Sequence, residues 1–400
     1  MKSLASHWCV FLGIVLSGVA FSVEARLLAD KFEADDSILV AQKDGAVAYE
    51  WQADKPLIPA SLTKLVTSFL ALEKWGANYR FPTDFYRSGD VLWVKGYGDP
   101  FIVSEEMDEI VRQLQVQGLT WVKRIMIDGS YFKSQQVPGR TNVADPYNAP
   151  LSAVAANFNT AKLKNTRGQI TSAEAQSPLT RSALSAAKRL GQPSLNASER
   201  INLIDAKNSE LNFAELLAIK ADLEHVEVGR GLMPESTVHF HRYQNSHTVS
   251  DVVRGTLEFS NNFMANQLFL MLPGIAQVDF SDTSAAIEPL LRQEFGWSSV
   301  TVVEGSGLSR KNRLSARQLI DLLDRLSDHK RLFKQYNSGE PSTLVRAKTG
   351  TLNGVHSFAG YINFKGKEYR FVFNFNRVVP YKYRETLLRK LVARLHLLTE

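Results

Sequence analysis

The chain has 400 residues, 44% hydrophobic and 22% charged, which is the composition of a folded protein with a sizeable core rather than a disordered or fibrous one. The formal net charge is +6, and the Lys and Arg are scattered, so the excess reads as solvated surface and a nucleic-acid partner is not expected. A single cysteine, Cys9, excludes a disulfide scaffold and a thiolate metal cluster.

Residues 1–25 read as a secretory signal peptide. Lys2 supplies the positive start, residues 8–16 are apolar, and Val23-Glu24-Ala25 offers a cleavage site. The apolar run is short for a membrane span, which weighs against an uncleaved anchor; Ala20 is a second possible cleavage point. Cys9 leaves with this leader, so no thiol nucleophile remains in the mature chain.

Residues 37–53 alternate polar and apolar around Asp44-Gly45, a hairpin signal. Leu62, Leu65, Val66, Phe69 and Leu72 then recur at helical spacing. From about Phe81, short strands at residues 91–94 and 125–128 alternate with turns. Residues 160–212, rich in Ala, Ser, Asn and Lys, predict surface helices and loops of a secondary module. Helical periodicity returns over residues 249–272. The chain closes with a hairpin of residues 361–364 and 369–375 turning at Gly366, then a helix from about Tyr383. Tyr369, Phe371, Phe373 and Phe375 form a period-2 core stripe. Leu387, Leu388, Leu391, Leu395 and Leu398 make one helical stripe, and packing on a sheet is favoured over lying on a membrane.

Ser61-Leu62-Thr63-Lys64 opens a helix. A serine and a lysine three positions apart share a helical face, so Lys64 can reach the Ser61 hydroxyl. The positive helix end stabilises a developing alkoxide and favours a neutral lysine, as a general base requires. The spacing alone is weak, because it recurs at Ser130/Lys133, Ser185/Lys188 and Ser327/Lys330; only Ser61 has a preceding proline and a following apolar helix. Lys348-Thr349-Gly350 occurs once, just before the final hairpin, and is expected on an edge strand. There its lysine and threonine can hold a carboxylate while the glycine admits a substrate backbone. Ser260-Asn261-Asn262 gives a hydroxyl and an amide at a helix start. Serine-x-x-lysine, serine-x-asparagine and lysine-threonine-glycine in this order form a specific set, shared by class A β-lactamases and penicillin-binding proteins.

With 199 positions between Ser61 and Ser260 and 88 between Ser260 and Lys348, the chain resembles the penicillin-binding protein 4 type of D-alanyl-D-alanine carboxypeptidase/endopeptidase, which carries an extra module in the first interval. The resemblance is also carried by residues 94–100, 128–132, 147–152, 304–310 and 348–352. It implies an α/β fold: a serine β-lactamase/transpeptidase-like domain of antiparallel sheet flanked by helices, from residues 26–80 and 246–400, with residues 81–245 as a smaller inserted domain. The stretch from Asn159 to Asn245 looks shorter and more polar than in fuller members.

The resemblance further implies Ser61 as the acylated nucleophile, Lys64 as its base, and Ser260 and Asn262 as proton relay and substrate grip. Lys348 and Thr349 would bind a terminal carboxylate beside Gly350, and the amides of Ser61 and Thr351 would form an oxyanion hole. Arg310 and Asp145 are further candidates for substrate contact, weighed against surface salt bridges. The expected partners are peptidoglycan stem peptides, with β-lactams as covalent inhibitors, in the periplasm. No metal or organic cofactor is expected.

His239 and His241 alternate on a probable strand, and a solvated face is preferred to a metal site. Two other functions compete with this reading: a β-lactamase, for which residues 288–291 offer a deacylating glutamate, although Ile287, Leu290, Leu291 and Phe295 instead suggest a helix face; and a vestigial wall-binding protein.

Overall fold

The computed structural model describes residues 32–133, 136–141 and 145–397, so the expected leader, Cys9 and Leu398 lie outside the described residues. Strands β1 (Asp36–Gln42) and β2 (Val47–Trp51) form the hairpin signalled by Asp44-Gly45. Gly45 takes φ +89° and the Asp44 carboxylate accepts from the Ala46 amide at 3.1 Å, as a tight turn requires. A single 3₁₀ turn, Ala60–Leu62, leads into α1 (Thr63–Trp75).

The chain then enters β3 (Arg80–Ser88), β4 (Val91–Gly96), α2 (Ser104–Val116) and β5 (Arg124–Asp128). Strands β6 (Thr160–Thr166) and β7 (Gln169–Ser172), helix α3 (Arg181–Leu190), strand β8 (Ser198–Asn202) and helix α4 (Ala206–Lys220) follow. Strands β9 (Glu227–Arg230) and β10 (Val238–Thr248) complete this stretch. Two sheets arise from it. One has the order β10-β3-β4-β5-β9, antiparallel at β10-β3-β4 and parallel at β4-β5-β9; the other is the antiparallel trio β7-β6-β8. The trio corrects the expectation of helices and loops only. Strand β6 buries Leu163 between the more exposed Lys162 and Lys164, an alternation too short and too polar to stand out in the sequence.

Beyond β10 come α5 (Val249–Glu258), α6 (Asn262–Met271), α7 (Phe280–Phe295) and α8 (Ala316–Arg325). Strands β11 (Lys334–Asn337), β12 (Thr343–Leu352), β13 (Val355–Phe364) and β14 (Lys367–Phe375) precede the closing helix α9 (Tyr383–Leu397). The periodicity expected over residues 249–272 is therefore split in two. Ser260 sits at φ +58°, which no helix accommodates, and the Asn261 side chain caps the restart by accepting from the Met264 amide at 3.0 Å.

The principal sheet is antiparallel, in the order β11-β12-β13-β14-β1-β2. Strand alternation gives it two apolar faces. Leu39, Ala359, Tyr361 and Val372 join the core with α1, α5, α6, α7 and α8. Ile38, Val345, Ala347, Phe371, Phe373 and Phe375 face α9, whose Leu387, Leu388, Leu391 and Leu395 pack on them, so the leucine stripe serves packing. Residues 149–155 enter the helical core as well, and the Gln267 side chain on α6 ties them down by donating to Ser152 O at 2.9 Å and Gly98 O at 3.3 Å.

Two local expectations change. Strand β12 is the second strand of its sheet, not the edge, but β11 begins at Lys334 opposite Ala347, so the Lys348–Leu352 half keeps an open edge. On α7, Leu290 is 55% exposed rather than part of the buried face that Ile287 and Leu291 form.

Candidate active site

The site is assembled on the 3₁₀ turn before α1. Ala60 takes φ +49°, a costly conformation for a residue with a Cβ, and the surrounding chain holds it there. Ser357 donates to Pro59 O at 2.7 Å, and the Asn376 amide brackets Ile58 by accepting from its N–H at 2.9 Å and donating to its carbonyl at 3.0 Å. Two glycines press on the turn from either side. A Cβ on Gly307, at φ +88°, would overlap the Ala60 carbonyl, and one on Gly350 would lie 2.8 Å from the Ser61 nitrogen. The positions adjoining Ala60 and Ser61 must be bare of side chain.

Lys64 is fully buried one turn below Ser61. Its Nζ lies 3.1 Å from Ser61 Oγ, 2.7 Å from Asn262 Oδ1 and 2.6 Å from Ser306 O. Burial pushes the lysine down to about 7, against the opposing pull of the Glu304 carboxylate. A neutral amine there has two N–H groups to donate to Asn262 and Ser306, which leaves its lone pair for the Ser61 hydroxyl proton. Held this way, a neutral Lys64 can act as a base aimed at one oxygen.

Glu304 lies in the 304–310 stretch, where the sequence assigns its carboxylate no role. It is fully buried. One oxygen accepts from the Ser306 amide at 2.8 Å and hydroxyl at 2.6 Å; the other accepts from Gly307 N at 2.7 Å, Ser309 N at 3.2 Å and Asn312 Nδ2 at 2.7 Å. This carboxylate folds the loop that presents Ser306 O to Lys64 and Gly307 to the Ala60–Leu62 turn. Asn266 reinforces it, accepting from Gly305 N at 2.8 Å and donating to Ser306 Oγ at 3.1 Å.

The second motif divides its labour. Asn261 caps α6, whereas Ser260 and Asn262 on either side reach the site. Lys348 Nζ donates to Ser260 Oγ at 2.8 Å and to Thr349 O at 2.6 Å. Burial, together with repulsion from Lys64, Arg384 and Lys334, pushes Lys348 well below its ordinary value. A bound carboxylate would offset that repulsion and restore its charge.

Lys348 and Gly350 face the serines. Thr349 and Thr351 alternate to the side of α9, where Thr349 meets the Tyr336 phenol and Thr351 Oγ1 accepts from Arg384 at 3.1 Å. The remaining candidates sit at the rim. Arg310 is exposed and donates to Asn353 O at 2.8 Å, tethering the β12–β13 turn. The Asp145 carboxylate accepts from Tyr147 N at 2.8 Å, capping the turn whose Tyr147 carbonyl accepts from Asn262 Nδ2 at 3.3 Å.

The decoy pairs are not brought together in the same way. Lys133 is engaged by Asp282 and Lys330 by Glu368, while Ser185 and Lys188 are exposed on α3. The Glu288 carboxylate, the candidate deacylating base, accepts from Val302 N at 2.9 Å. The pairing register shifts between His239 and His241; the first lies 3.8 Å from Asp84 and the second 2.8 Å from Gln113 Oε1. No group of three or more His, Cys, Asp or Glu that could hold a metal occurs among the described residues.

Comparison with known proteins bears on the fold and the family. In fold the chain is similar to penicillin binding protein 4 of Haemophilus influenzae, with a TM-score of 0.72 and 18% identity over 93% of this chain and 99% of that one. A predatory peptidoglycan endopeptidase of Bdellovibrio bacteriovorus is similar at a TM-score of 0.55 and 13% identity, over 90% of this chain and 91% of that one. A D-alanyl-D-alanine carboxypeptidase of Actinomadura sp. (strain R39) is 29% identical over 109 residues, which span 25% of this chain and 20% of that protein's length. The D-Ala-D-Ala carboxypeptidase 3 (S13) family model matches residues 21–214 and 225–390, so the chain belongs to that family of peptidases.

Proposed function

We propose that the chain is a serine D-Ala-D-Ala carboxypeptidase that also opens D,D-peptide cross-links, acting on peptidoglycan stem peptides through an acyl-enzyme at Ser61. The observation that carries this reading is the placement of buried Lys64 against Ser61 Oγ, with its other hydrogen-bonding positions held by Asn262 and Ser306.

Lys64 removes the Ser61 proton as Oγ bonds to the carbonyl carbon of the penultimate D-Ala. The carbonyl electron pair becomes an oxyanion held by the amides of Ser61 and Thr351. Its collapse breaks the C–N bond, and the leaving amine takes a proton through Ser260. Water then cleaves the ester and returns the proton to Ser61. Lys348, beside Thr349 and the open half of β12, receives the substrate's terminal carboxylate; Asn262 grips its peptide group, and Arg310 and Asp145 border the same rim. A β-lactam presents a similar carbonyl and carboxylate, so it acylates Ser61 as well.

In this reading residues 81–245 are an accessory insertion in a catalytic domain made of residues 26–80 and 246–400, and the enzyme works in the periplasm after removal of residues 1–25. No helix of the described residues is long and apolar enough to cross a membrane.

A digest of purified sacculi tests the activity. Loss of the terminal D-Ala from pentapeptides, with slower loss of cross-linked dimers, is expected. Intact pentapeptides and dimers after prolonged incubation with folded enzyme would refute it.

A further inference from the structure

Arg384 lies near the start of α9, on the face of the sheet opposite the nucleophile. Its neighbours Leu387 and Leu388 are packing residues, but the guanidinium is turned to the strand that carries Lys348. Arg384 Nη1 donates to Gly350 O at 2.6 Å, to Ser357 O at 2.9 Å and to Thr351 Oγ1 at 3.1 Å. The Gly350 carbonyl and the Thr351 N–H belong to one peptide unit. A cation on the carbonyl end draws electron density through the amide and makes its N–H a stronger donor, since hydrogen bonds in series polarise one another. The bond to Thr351 Oγ1 fixes the same residue from its side chain. The Gly350 side of the unit is already fixed, because its Cα packs against the Ser61 nitrogen.

We propose that Arg384 is a positioning residue for acylation: it orients and polarises the Gly350–Thr351 peptide so that the Thr351 amide holds the developing oxyanion. This rests on the proposed acylation of Ser61 with the Ser61 and Thr351 amides as oxyanion hole. Arg384 touches neither the nucleophile nor its base; it acts through the peptide.

Arg384 also repels the Lys348 ammonium, and that effect has the opposite sign. Removing the guanidinium should favour charged Lys348 and, if anything, tighten binding of a carboxylate. A loss confined to the acylation step therefore marks the peptide route. Deleting an oxyanion donor outright costs about 10²–10³-fold, so weakening a donor that stays in place should cost about tenfold to thirtyfold.

The test measures acylation by a β-lactam under saturating conditions, which separates the noncovalent dissociation constant from the acylation rate constant. Arg384→Gln should slow acylation by about tenfold to thirtyfold while the dissociation constant stays equal or falls. Arg384→Lys, which keeps a donating cation, should recover most of the rate. Lys390→Gln, the same charge change on an exposed position of α9, should leave both constants at the wild-type value. The infrared carbonyl band of a ¹³C-labelled acyl-enzyme should move to higher frequency in Arg384→Gln, reporting a weaker oxyanion hydrogen bond. Should Arg384→Gln unfold, a smaller shift in the same direction for Arg384→Lys carries the test.

Wild-type acylation rate in folded Arg384→Gln, loss appearing only in the dissociation constant, or an unmoved carbonyl band would each overturn the proposal. Failure of the wild-type chain to be acylated at Ser61 would instead remove the reading on which it rests.

Discussion

Replacing Glu304 by Gln should shift the pH dependence of Ser61 acylation to lower pH and destabilise the fold. The carboxylate takes five donors: two from Ser306 on one oxygen, and Gly307 N, Ser309 N and Asn312 Nδ2 on the other. A Gln side chain keeps one acceptor and introduces an NH₂ that faces donors. In its cheaper orientation the NH₂ opposes Ser306, whose hydroxyl can rotate to accept but whose amide cannot. One stranded buried donor costs about 1–3 kcal/mol, and weakening three charge-assisted bonds adds to it, so a loss of about 2–4 kcal/mol is expected.

The electrostatic effect runs the other way in its consequence for activity. Burial lowers Lys64 to about 7 and Glu304 holds it up against that burial. Without the charge, Lys64 falls further below its ordinary value. A general base must be neutral, so the acid limb of wild-type acylation should have its midpoint near pH 7 and the variant's at a lower pH. Relative to its own plateau, the variant is then the faster enzyme at pH 6. Stability follows the same sign. With a folded value near 7 against 10.5 for an ordinary lysine, the unfolded chain binds more protons between those values, and the contribution of Lys64 to stability rises with pH across that window. Acylation rates with a β-lactam from pH 5 to 9, paired with thermal melts at each pH, read both effects. An acid limb that stays at pH 7 or moves upward in folded Glu304→Gln would refute the reasoning.

Lys348→Ala should weaken acylation by roughly tenfold to a hundredfold, the equivalent of a charge-assisted contact of about 1.5–3 kcal/mol. Substrates lacking the terminal carboxylate should lose much less, and equal loss on both would point to damage of the fold. Gly307→Ala should cost about 3 kcal/mol or more, because a left-handed φ and overlap with the Ala60 carbonyl add together; a melting temperature within a degree of wild type would contradict the tight approach. Asn261→Ala should cost about 1 kcal/mol by uncapping α6. It should also slow acylation several-fold through the displaced Ser260 and Asn262, and loss of stability without any kinetic effect would show that the cap does not hold those two residues.

Much of the site could be read from the sequence where the chemistry is local. Ser61 and Lys64 are one helical turn apart, so their spacing announces their meeting. The Asp44-Gly45 hairpin and the Phe371/Phe373/Phe375 stripe were equally legible, because alternation and turn chemistry are short-range. Long-range partners were not. Nothing near Glu304 indicates that its carboxylate will be buried beneath a serine more than 200 positions earlier, and Arg384 reads as one basic residue on an amphipathic helix. The break at Ser260 was hidden because apolar periodicity resumes in α6 almost in phase with α5, whereas the left-handed Ser260 is imposed by tertiary packing. The β6–β8 trio escaped because a short sheet with a solvated face carries little apolar alternation. The open half of β12 depends on where β11 starts, a fact of pairing that β12 itself does not encode.

The most direct test of Ser61 as the nucleophile is intact-mass analysis followed by peptide mapping after reaction with a β-lactam. One stable adduct per chain is expected, on the peptide containing Ser61. It should be absent from Ser61→Ala protein that melts at the wild-type temperature, and should form about 10²–10⁴-fold more slowly in Lys64→Ala. An adduct on Ser130, Ser185 or Ser327 in folded protein, or no adduct at all on the wild-type chain, would contradict the assignment of Ser61 and the roles of Lys64, Ser260 and Lys348 built around it.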